Sequence, residues 1–173
     1  MPLPGRIIIN TGEGKGKTTA ALGTALRAAG HGQKVAIIQF LKGQWNYGEA
    51  KALGLVKNIE LTRIGSGFTW QAEDPEVPRK LARQAWEVAR EKVMSDRYEL
   101  VILDELNYAL HEGYVQVAEV LSLLAQKPRR LSIIITGRWA PADLVDAADT
   151  VTEMCCVKHA FTEGVPAQKG IEY

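Results

Sequence analysis

A glycine-rich segment with two lysines follows the first apolar run of the chain. It reads Thr11-Gly12-Glu13-Gly14-Lys15-Gly16-Lys17-Thr18-Thr19 and lies between a predicted strand and a predicted helix. Glycines let the backbone turn tightly with its N–H groups pointing inward, and the N-terminus of the next helix adds partial positive charge. In such a P-loop the lysine (Lys17) neutralises phosphate oxygens and the next hydroxyl (Thr18) binds Mg²⁺. The segment therefore predicts a site for a nucleotide with Mg²⁺.

The segment departs from the general P-loop pattern at its first position. The pattern requires Gly, four residues and then Gly-Lys-Ser/Thr, and Thr11 stands where the first glycine belongs. The dinucleotide-binding pattern Gly-x-Gly-x-x-Gly fails, because Lys17 fills its third glycine position. A glycine-rich surface turn is the alternative, and the strand–loop–helix context disfavours it.

Two carboxylates follow another apolar run, Leu100-Val101-Ile102-Leu103-Asp104-Glu105. Mg²⁺ prefers oxygen ligands and keeps several waters, so one or two carboxylates beside a triphosphate are sufficient. One of the pair would bind the metal directly and the other through water, and the pattern is compatible with either order. An exposed acidic turn is the alternative.

A cation and two aromatic residues complete the candidates. Arg138 ends a third apolar run, where it would hold phosphate bidentately or lie free on the surface. Phe68 and Trp70 are two positions apart in a glycine-hinged loop and would face the same side of it if the loop is extended. Core packing and ligand contact are both open for this pair.

Short β-branched runs alternate with longer helical stretches, which favours a parallel sheet covered on both faces. Strands are predicted at residues 6–11, 34–40, 58–64, 98–104, 131–136 and 150–158. Several contain continuous apolar runs (residues 7–9, 101–103 and 133–135), as is typical of buried central strands. Helices are predicted at 18–29, from Pro78 onward, at 115–126 and at 143–148. The second has a buried stripe of Ala82, Trp86, Ala89 and Val93. We expect one α/β domain over residues 1–173.

The composition excludes several classes of protein. Of 173 residues, 46% are hydrophobic and 24% charged, and 21 Lys and Arg oppose 20 Asp and Glu. Such a chain lacks the excess cations that nucleic acid or an anionic membrane requires. No apolar run reaches the roughly 18 residues of a membrane span, and no signal peptide is evident, so a cytoplasmic location is expected. The only cysteines, Cys155 and Cys156, are adjacent and cannot join distant elements; buried strand thiols are expected.

The motifs, in this order, resemble those of the P-loop class of ATP:corrinoid adenosyltransferases. The resemblance runs from about Arg6 to Tyr173. Its segments are the P-loop, Gln39-Phe40-Leu41-Lys42-Gly43, Gly67-Phe68-Thr69-Trp70, Leu103-Asp104-Glu105-Leu106-Asn107-Tyr108, Thr136-Gly137-Arg138, Val157-Lys158-His159-Ala160-Phe161 and Gln168-Lys169-Gly170-Ile171-Glu172-Tyr173. The P-loop is common to many families, whereas the other segments are specific.

This resemblance implies a RecA-like P-loop NTPase fold, with a mostly parallel central sheet flanked by helices, and a homodimer. It implies transfer of the 5′-deoxyadenosyl group of ATP to the Co(I) of a corrinoid, cobalamin or cobyrinic acid a,c-diamide, with release of tripolyphosphate. The pathway would be coenzyme B12 biosynthesis or salvage. Mg²⁺ and an electron donor, such as a flavin-type reductase, are implied as well.

The resemblance also assigns roles to residues. ATP binding falls to Gly12, Glu13, Gly14, Lys15, Gly16, Lys17, Thr18, Thr19 and Arg138. Lys17, Thr18 and Glu105 would be catalytic; Thr18 and Glu105 would bind Mg²⁺, with Asp104 acting through water. Phe68 and Trp70 would pack against the lower face of the corrin and displace its axial base.

Two departures from the family pattern stand out. Glu13 occupies a position where other members have Asn, which puts a ribose or phosphate contact there in doubt. The P-loop begins by Thr11, which leaves no room before it for the N-terminal helix that some members lay across a partner's site. Cover for the corrinoid is therefore expected to be weaker or to come from elsewhere.

Two other functions compete with this interpretation. One is a RecA-like ATPase or small kinase in which Glu105 activates water or an acceptor hydroxyl. The other is a nucleotide-dependent module that only binds a corrinoid or a protein partner.

Overall fold

Six parallel strands form a single sheet in the computed structural model, which describes residues 3–43, 47–65, 74 and 76–172. The strands are β1 (Ile7–Thr11), β2 (Val35–Phe40), β3 (Ile59–Ile64), β4 (Leu100–Asp104), β5 (Ser132–Thr136) and β6 (Thr150–Glu153). Their order across the sheet is β3-β2-β4-β5-β1-β6, and every neighbouring pair is parallel. The predicted α/β class is confirmed, and this sheet is parallel throughout rather than mostly parallel.

Helices cover both faces of the sheet. They are α1 (Lys17–Gly30), α2 (Gly48–Leu53), α3 (Glu76–Met94), α4 (Leu106–His111), α5 (Val117–Gln126), α6 (Ala142–Asp146) and a 3₁₀ turn (Ala160–Glu163). Apolar residues of α1 and α2 pack on one face of the sheet, and those of α3 to α6 pack on the other. Because both faces are covered, β2 and β4 are buried at every position, which for β4 confirms the prediction from its apolar run. In β1, whose apolar run predicted the same, Ile7 and Ile8 are only partly buried, because the neighbouring strand β6 is an exposed edge strand.

The long helix α3 confirms the predicted apolar stripe. Ala82, Trp86, Ala89 and Val93 are all fully buried, at 0% exposure. Pro78 lies in the first turn of this helix, where its missing N–H has no intrahelical partner to lose.

The last strand and the cysteines differ from the prediction. The strand expected over residues 150–158 ends at Glu153, and all four residues of β6 are exposed. Cys155 and Cys156 therefore lie beyond the sheet and are exposed rather than buried strand thiols. Beta-branched residues such as Val157 suggested a longer strand, but β6 is an edge strand without a layer that would bury a continuation.

Two short helices, α2 and α4, were not predicted. Each has six residues, too few for a clear helical periodicity. Within the described part of the chain, no helix is long and apolar enough to cross a membrane.

Candidate active site

The P-loop (residues 11–19) lies on the short segment that follows β6. The N–H of Met154 donates to the Thr11 carbonyl at 2.8 Å, and the N–H of Gly14 donates to the Met154 carbonyl at 2.6 Å. A Cβ on Gly12 would come within 2.6 Å of the Met154 carbonyl oxygen, and one on Gly14 within 2.6 Å of that of Cys155. We call residues 153–155 the loop seat. Its backbone explains why these two positions are glycines.

Lys17 is the first residue of α1 and points back into the P-loop. Its Nζ donates to the carbonyls of Gly12 at 2.8 Å and Gly14 at 2.7 Å, and the residue is 9% exposed. Burial lowers the pKa of Lys17, an effect that Glu105 opposes. The loop carbonyls thus hold the ammonium group of Lys17 within the turn, where it could contact a bound phosphate.

Asp104, the last residue of β4, joins four other side chains at the carboxyl edge of the sheet. Its Oδ1 accepts hydrogen bonds from the hydroxyls of Thr18 and Thr136, both at 2.7 Å. Its Oδ2 accepts one from Gln39 Nε2 at 3.0 Å and lies 2.9 Å from Lys42 Nζ. With 0% exposure and two partners on each oxygen, this carboxylate has its lone pairs fully used.

Lys42 is the cation that balances this buried carboxylate. Burial alone would lower the pKa of Lys42, but the charge of Asp104 and the hydrogen bond to it raise the pKa above its ordinary value. Lys42 therefore carries its positive charge at the edge of the site. Gln39 and Lys42 belong to one of the sequence motifs, but no role was predicted for either, because contacts across strands leave no pattern within one segment.

Glu105 has surroundings different from those of Asp104. Its backbone φ is +64°, a conformation that is strained for a non-glycine residue, and its N–H donates to the Thr136 hydroxyl at 3.0 Å. Among the described residues, no hydrogen bond or ion pair engages its carboxylate. Burial, and next the charge of Asp104, raise the pKa of Glu105, although Lys42 and Lys17 oppose this. Glu105 thus combines a strained backbone with a carboxylate that has no hydrogen bond or ion pair among the described residues, and its charge acts on the P-loop lysine, Lys17.

Arg138 follows β5 and reaches the P-loop, as predicted for a cation at this edge. Its guanidinium lies 3.3 Å from the carboxylate of Glu13, and both side chains are about half exposed. An exposed pair of this kind contributes little to stability. Both groups are therefore free to exchange this contact for one with a ligand.

An aromatic cluster next to Arg138 was not predicted. Trp139 has a φ of +56° and is 44% exposed. Its ring centroid lies 4.4 Å from that of His111 and 5.9 Å from that of Tyr108, both on α4. The only signal in the sequence was a tryptophan directly after Gly-Arg.

Comparisons with known proteins identify the family. The sequence profile described as "ATP:corrinoid adenosyltransferase BtuR/CobO/CobP" matches residues 4–173. The chain belongs to this family. It is 44% identical over 169 residues to the corrinoid adenosyltransferase of Escherichia coli (strain K12), covering 98% of this chain and 86% of that protein.

Two further relatives agree. The corrinoid adenosyltransferase CobA of Salmonella typhimurium (strain LT2) is 43% identical over 169 residues, with 98% and 86% of the two chains covered. The corrinoid adenosyltransferase of Pseudomonas aeruginosa is 41% identical over 170 residues, with 98% and 84% covered. The resemblance that the motifs carried is confirmed, and this family member is a transferase whose substrates are ATP and a corrinoid.

The oxygen atoms at the mouth of the P-loop of this adenosyltransferase fit Mg²⁺. The described residues contain no group of three or more His, Cys, Asp or Glu side chains that could hold a metal ion by themselves. Thr18 instead offers a hydroxyl that contacts Asp104, and Glu105, the next residue in the sequence after Asp104, offers a carboxylate. A hard cation that keeps several waters and arrives with a nucleotide suits this donor set.

The remaining predicted residues of the adenosyltransferase lie in different places. Lys15 is exposed and pairs with Glu172 of the C-terminal segment at 3.1 Å, so this segment lies against the P-loop. Thr19 is exposed in the first turn of α1. Phe68 and Trp70, predicted to contact the corrin, lie outside the described residues.

Proposed function

We propose that the protein binds ATP in the P-loop with Mg²⁺ and transfers its 5′-deoxyadenosyl group to the Co(I) of a corrinoid, releasing tripolyphosphate. The observation that carries this proposal is the contact at 2.7 Å between Thr18 of the P-loop and Asp104 of β4, in a chain that the family profile matches over residues 4–173. This contact supports a nucleotide site at the sheet edge, where α/β folds bind ligands.

The transfer makes few demands on protein side chains as reactants. The electron pair of Co(I) forms the bond to C5′, the C5′–O bond breaks, and its electron pair leaves with the triphosphate. Because the reduced corrinoid is itself a strong nucleophile, no activated serine, cysteine or general base is needed. The protein contributes orientation of the two substrates and stabilisation of the leaving group.

Lys17 and the P-loop N–H groups are assigned to the leaving triphosphate. The ammonium of Lys17 already lies between the carbonyls of Gly12 and Gly14. It can therefore meet the charge that develops on the triphosphate without a large rearrangement. Arg138 would exchange its exposed contact with Glu13 for a phosphate oxygen.

Thr18 and Glu105 are assigned as the direct ligands of Mg²⁺. Asp104 is assigned a contact through a metal-bound water, which would take the place of one of its present hydrogen-bond partners. In support, both oxygens of Asp104 already have two partners, whereas the Glu105 carboxylate has no hydrogen bond among the described residues. When bound there, Mg²⁺ would neutralise charge on the triphosphate. Asp104 would hold the Thr18 hydroxyl in position.

Phe68 and Trp70 are assigned to the lower face of the corrin, on the family resemblance. Aromatic side chains there would exclude water and the axial base, leave Co(II) four-coordinate and make it easier to reduce. Trp70→Ala should therefore reduce the rate of enzymatic Co(II) reduction and transfer more than the rate of transfer to Co(I) prepared chemically. Equal losses in the two assays would reject the assignment.

The homodimer and the flavin-type reductase rest on the family resemblance alone and stay predictions. Sedimentation equilibrium tests the first. Replacing the chemical reductant by a reduced flavin reductase tests the second.

The activity itself is tested by incubating the protein with ATP, Mg²⁺ and chemically reduced cobalamin in the dark. We expect a light-sensitive adenosylcorrinoid spectrum together with tripolyphosphate. ADP and phosphate as the only products would indicate an ATPase, and unchanged ATP would indicate a binding module. Cobinamide and cobyrinic acid a,c-diamide in the same assay identify the preferred corrinoid.

A further inference from the structure

The two cysteines of the chain border the P-loop. Cys155 is the last residue of the loop seat, and Cys156 follows it; both are exposed. The Cys155 carbonyl lies where a Cβ on Gly14 would be only 2.6 Å away. A chemical change at these thiols therefore acts directly behind the backbone that turns around phosphate.

Adjacent exposed thiols have a chemistry of their own. A thiolate attacks a small disulfide to give a mixed disulfide, and a second thiol next to it displaces the small thiol. The product here is a disulfide between neighbouring residues. Since Cα atoms across a trans peptide are about 3.8 Å apart, below the about 4.4–6.8 Å usual for a disulfide, the backbone must move to close it.

We propose that Cys155 and Cys156 form a thiol–disulfide exchange site whose oxidation pulls the loop seat away from the P-loop. The oxidant is a low-molecular-weight disulfide such as oxidised glutathione. The two protein thiols lose two electrons and two protons and form one S–S bond. The small disulfide gains both and leaves as two thiols.

The loop seat transmits the change. The Met154 carbonyl, directly before Cys155, accepts the Gly14 N–H at 2.6 Å, and the Met154 N–H binds the Thr11 carbonyl at 2.8 Å. Both contacts depend on the backbone path through residues 154–155, and Gly14 has no side chain that could fill a gap. Movement at Cys155 therefore releases the Gly14 N–H and loosens the anion-binding turn.

The direction of control suits the reaction. The inference rests on the proposed function to this extent: a Co(I) substrate exists only under strongly reducing conditions. A strained disulfide is readily reduced, so reducing conditions restore the hydrogen bonds between the P-loop and the loop seat. Nucleotide binding would then be strong when Co(I) can be made and weak when it cannot.

The test uses the full chain in buffers with different ratios of reduced to oxidised glutathione. Thiol titration and intact mass report the chemistry, and hydrogen exchange of the peptide covering residues 11–17 reports the loop. ATP affinity with Mg²⁺ is measured by calorimetry. We expect oxidation to remove both thiols, to speed exchange of the Gly14 amide about tenfold and to weaken ATP binding about tenfold, all reversed by dithiothreitol.

Cys156→Ser is the matched variant, because Cys156 lies outside the loop seat. It should keep the ATP affinity of the reduced protein and, without a second thiol to displace glutathione, form no disulfide within the chain and lose the oxidative change in exchange of the Gly14 amide. In the protein with both cysteines, a lasting glutathione adduct, a disulfide between two chains, or an intramolecular disulfide with unchanged hydrogen exchange would each overturn the inference. The proposed function has a separate readout, because failure of the reduced protein to bind ATP would reject that function while the exchange data still decide the role of the thiols.

Discussion

Lys17 and Lys15 are two residues apart in the P-loop, yet their surroundings differ. Lys17 is buried against two loop carbonyls, whereas Lys15 is half exposed and paired with Glu172. Because Lys17 is the one placed to meet charge on the leaving group, Lys17→Ala should lower kcat by about 10²–10³. Lys15→Ala should lower kcat by about tenfold or less, since an exposed ion pair contributes little. Steady-state adenosylation with chemically reduced cobalamin measures both, and equal losses would contradict this assignment.

Glu105 combines a strained backbone with a carboxylate that is unfavourable to ionise. Burial, and then Asp104, raise the pKa of Glu105, so the folded protein binds this proton more tightly than the unfolded chain does. The destabilisation from ionised Glu105 is absent below the unfolded pKa and complete above the folded pKa. Glu105→Gln should therefore stabilise the protein at pH 7, and this gain should disappear as the pH falls to about 4.

The same substitution should impair function. Glu105→Gln removes a proposed Mg²⁺ ligand, so the Mg²⁺ concentration required for half-maximal activity should rise. Urea unfolding at both pH values and a Mg²⁺ titration of the activity measure the two effects. Glu91→Gln, exposed on α3, is the control and should change the free energy of unfolding by less than about 0.5 kcal/mol. A loss of stability in Glu105→Gln at pH 7 would show that ionisation there is not costly.

At the scale of elements, the P-loop and its seat form one unit. A Cβ at Gly14 would lie 2.6 Å from the Cys155 carbonyl oxygen and 2.7 Å from that of Met154. Because both neighbours are backbone, Gly14→Ala must separate the loop from the seat, at an expected cost of about 1–3 kcal/mol and with a loss of ATP binding. Urea unfolding and calorimetry are the measurements.

Gly23 provides a matched control within α1. A Cβ there would meet nothing within 4 Å. Gly23→Ala should therefore stabilise the protein by about 0.5–1 kcal/mol through helix propensity and leave ATP binding unchanged. If the two alanine variants had similar stability, the seat would not constrain the P-loop.

Asp104 connects more elements than any sequence motif could indicate. Its partners come from α1 (Thr18), β2 (Gln39), the segment after β2 (Lys42) and β5 (Thr136). The sequence predicted that strand ends would meet at one edge, because all strands run parallel. It could not predict that one carboxylate would be saturated there and its neighbour Glu105 left unengaged, since that difference depends on where four other side chains lie.

At the scale of the whole molecule, the sequence predicted the features that leave a repeating pattern of residue types along the chain. Continuous apolar runs predicted the burial of β4 and of residues 133–135 in β5, and the spacing of apolar residues predicted the buried face of α3. Contacts between backbones leave no such pattern. The loop seat was missed because nothing in Met154-Cys155 identifies a carbonyl that binds a P-loop amide, and β6 was extended too far because an edge strand has no buried face to define its end.

Binding of tripolyphosphate, the part of ATP that leaves in the proposed reaction, should stabilise the whole protein against unfolding. The Lys17 ammonium and the P-loop turn lie at the sheet edge, so binding energy is expected to come from the triphosphate more than from the nucleoside. Tripolyphosphate with Mg²⁺ at about 100 times its Kd should add about 2.7 kcal/mol to the free energy of unfolding and raise Tm by about 5–10 °C. Adenosine at equal concentration should shift Tm far less.

Differential scanning calorimetry without corrinoid makes this measurement, and Lys17→Ala is the control in which the tripolyphosphate shift should nearly vanish. A shift that survives in this variant would mean that surface cations, such as Lys15, bind the anion instead. A larger shift with adenosine than with tripolyphosphate would place the main binding energy on the nucleoside. The P-loop would then not bind the leaving group tightly, and stabilisation of the departing triphosphate could not account for the rate acceleration.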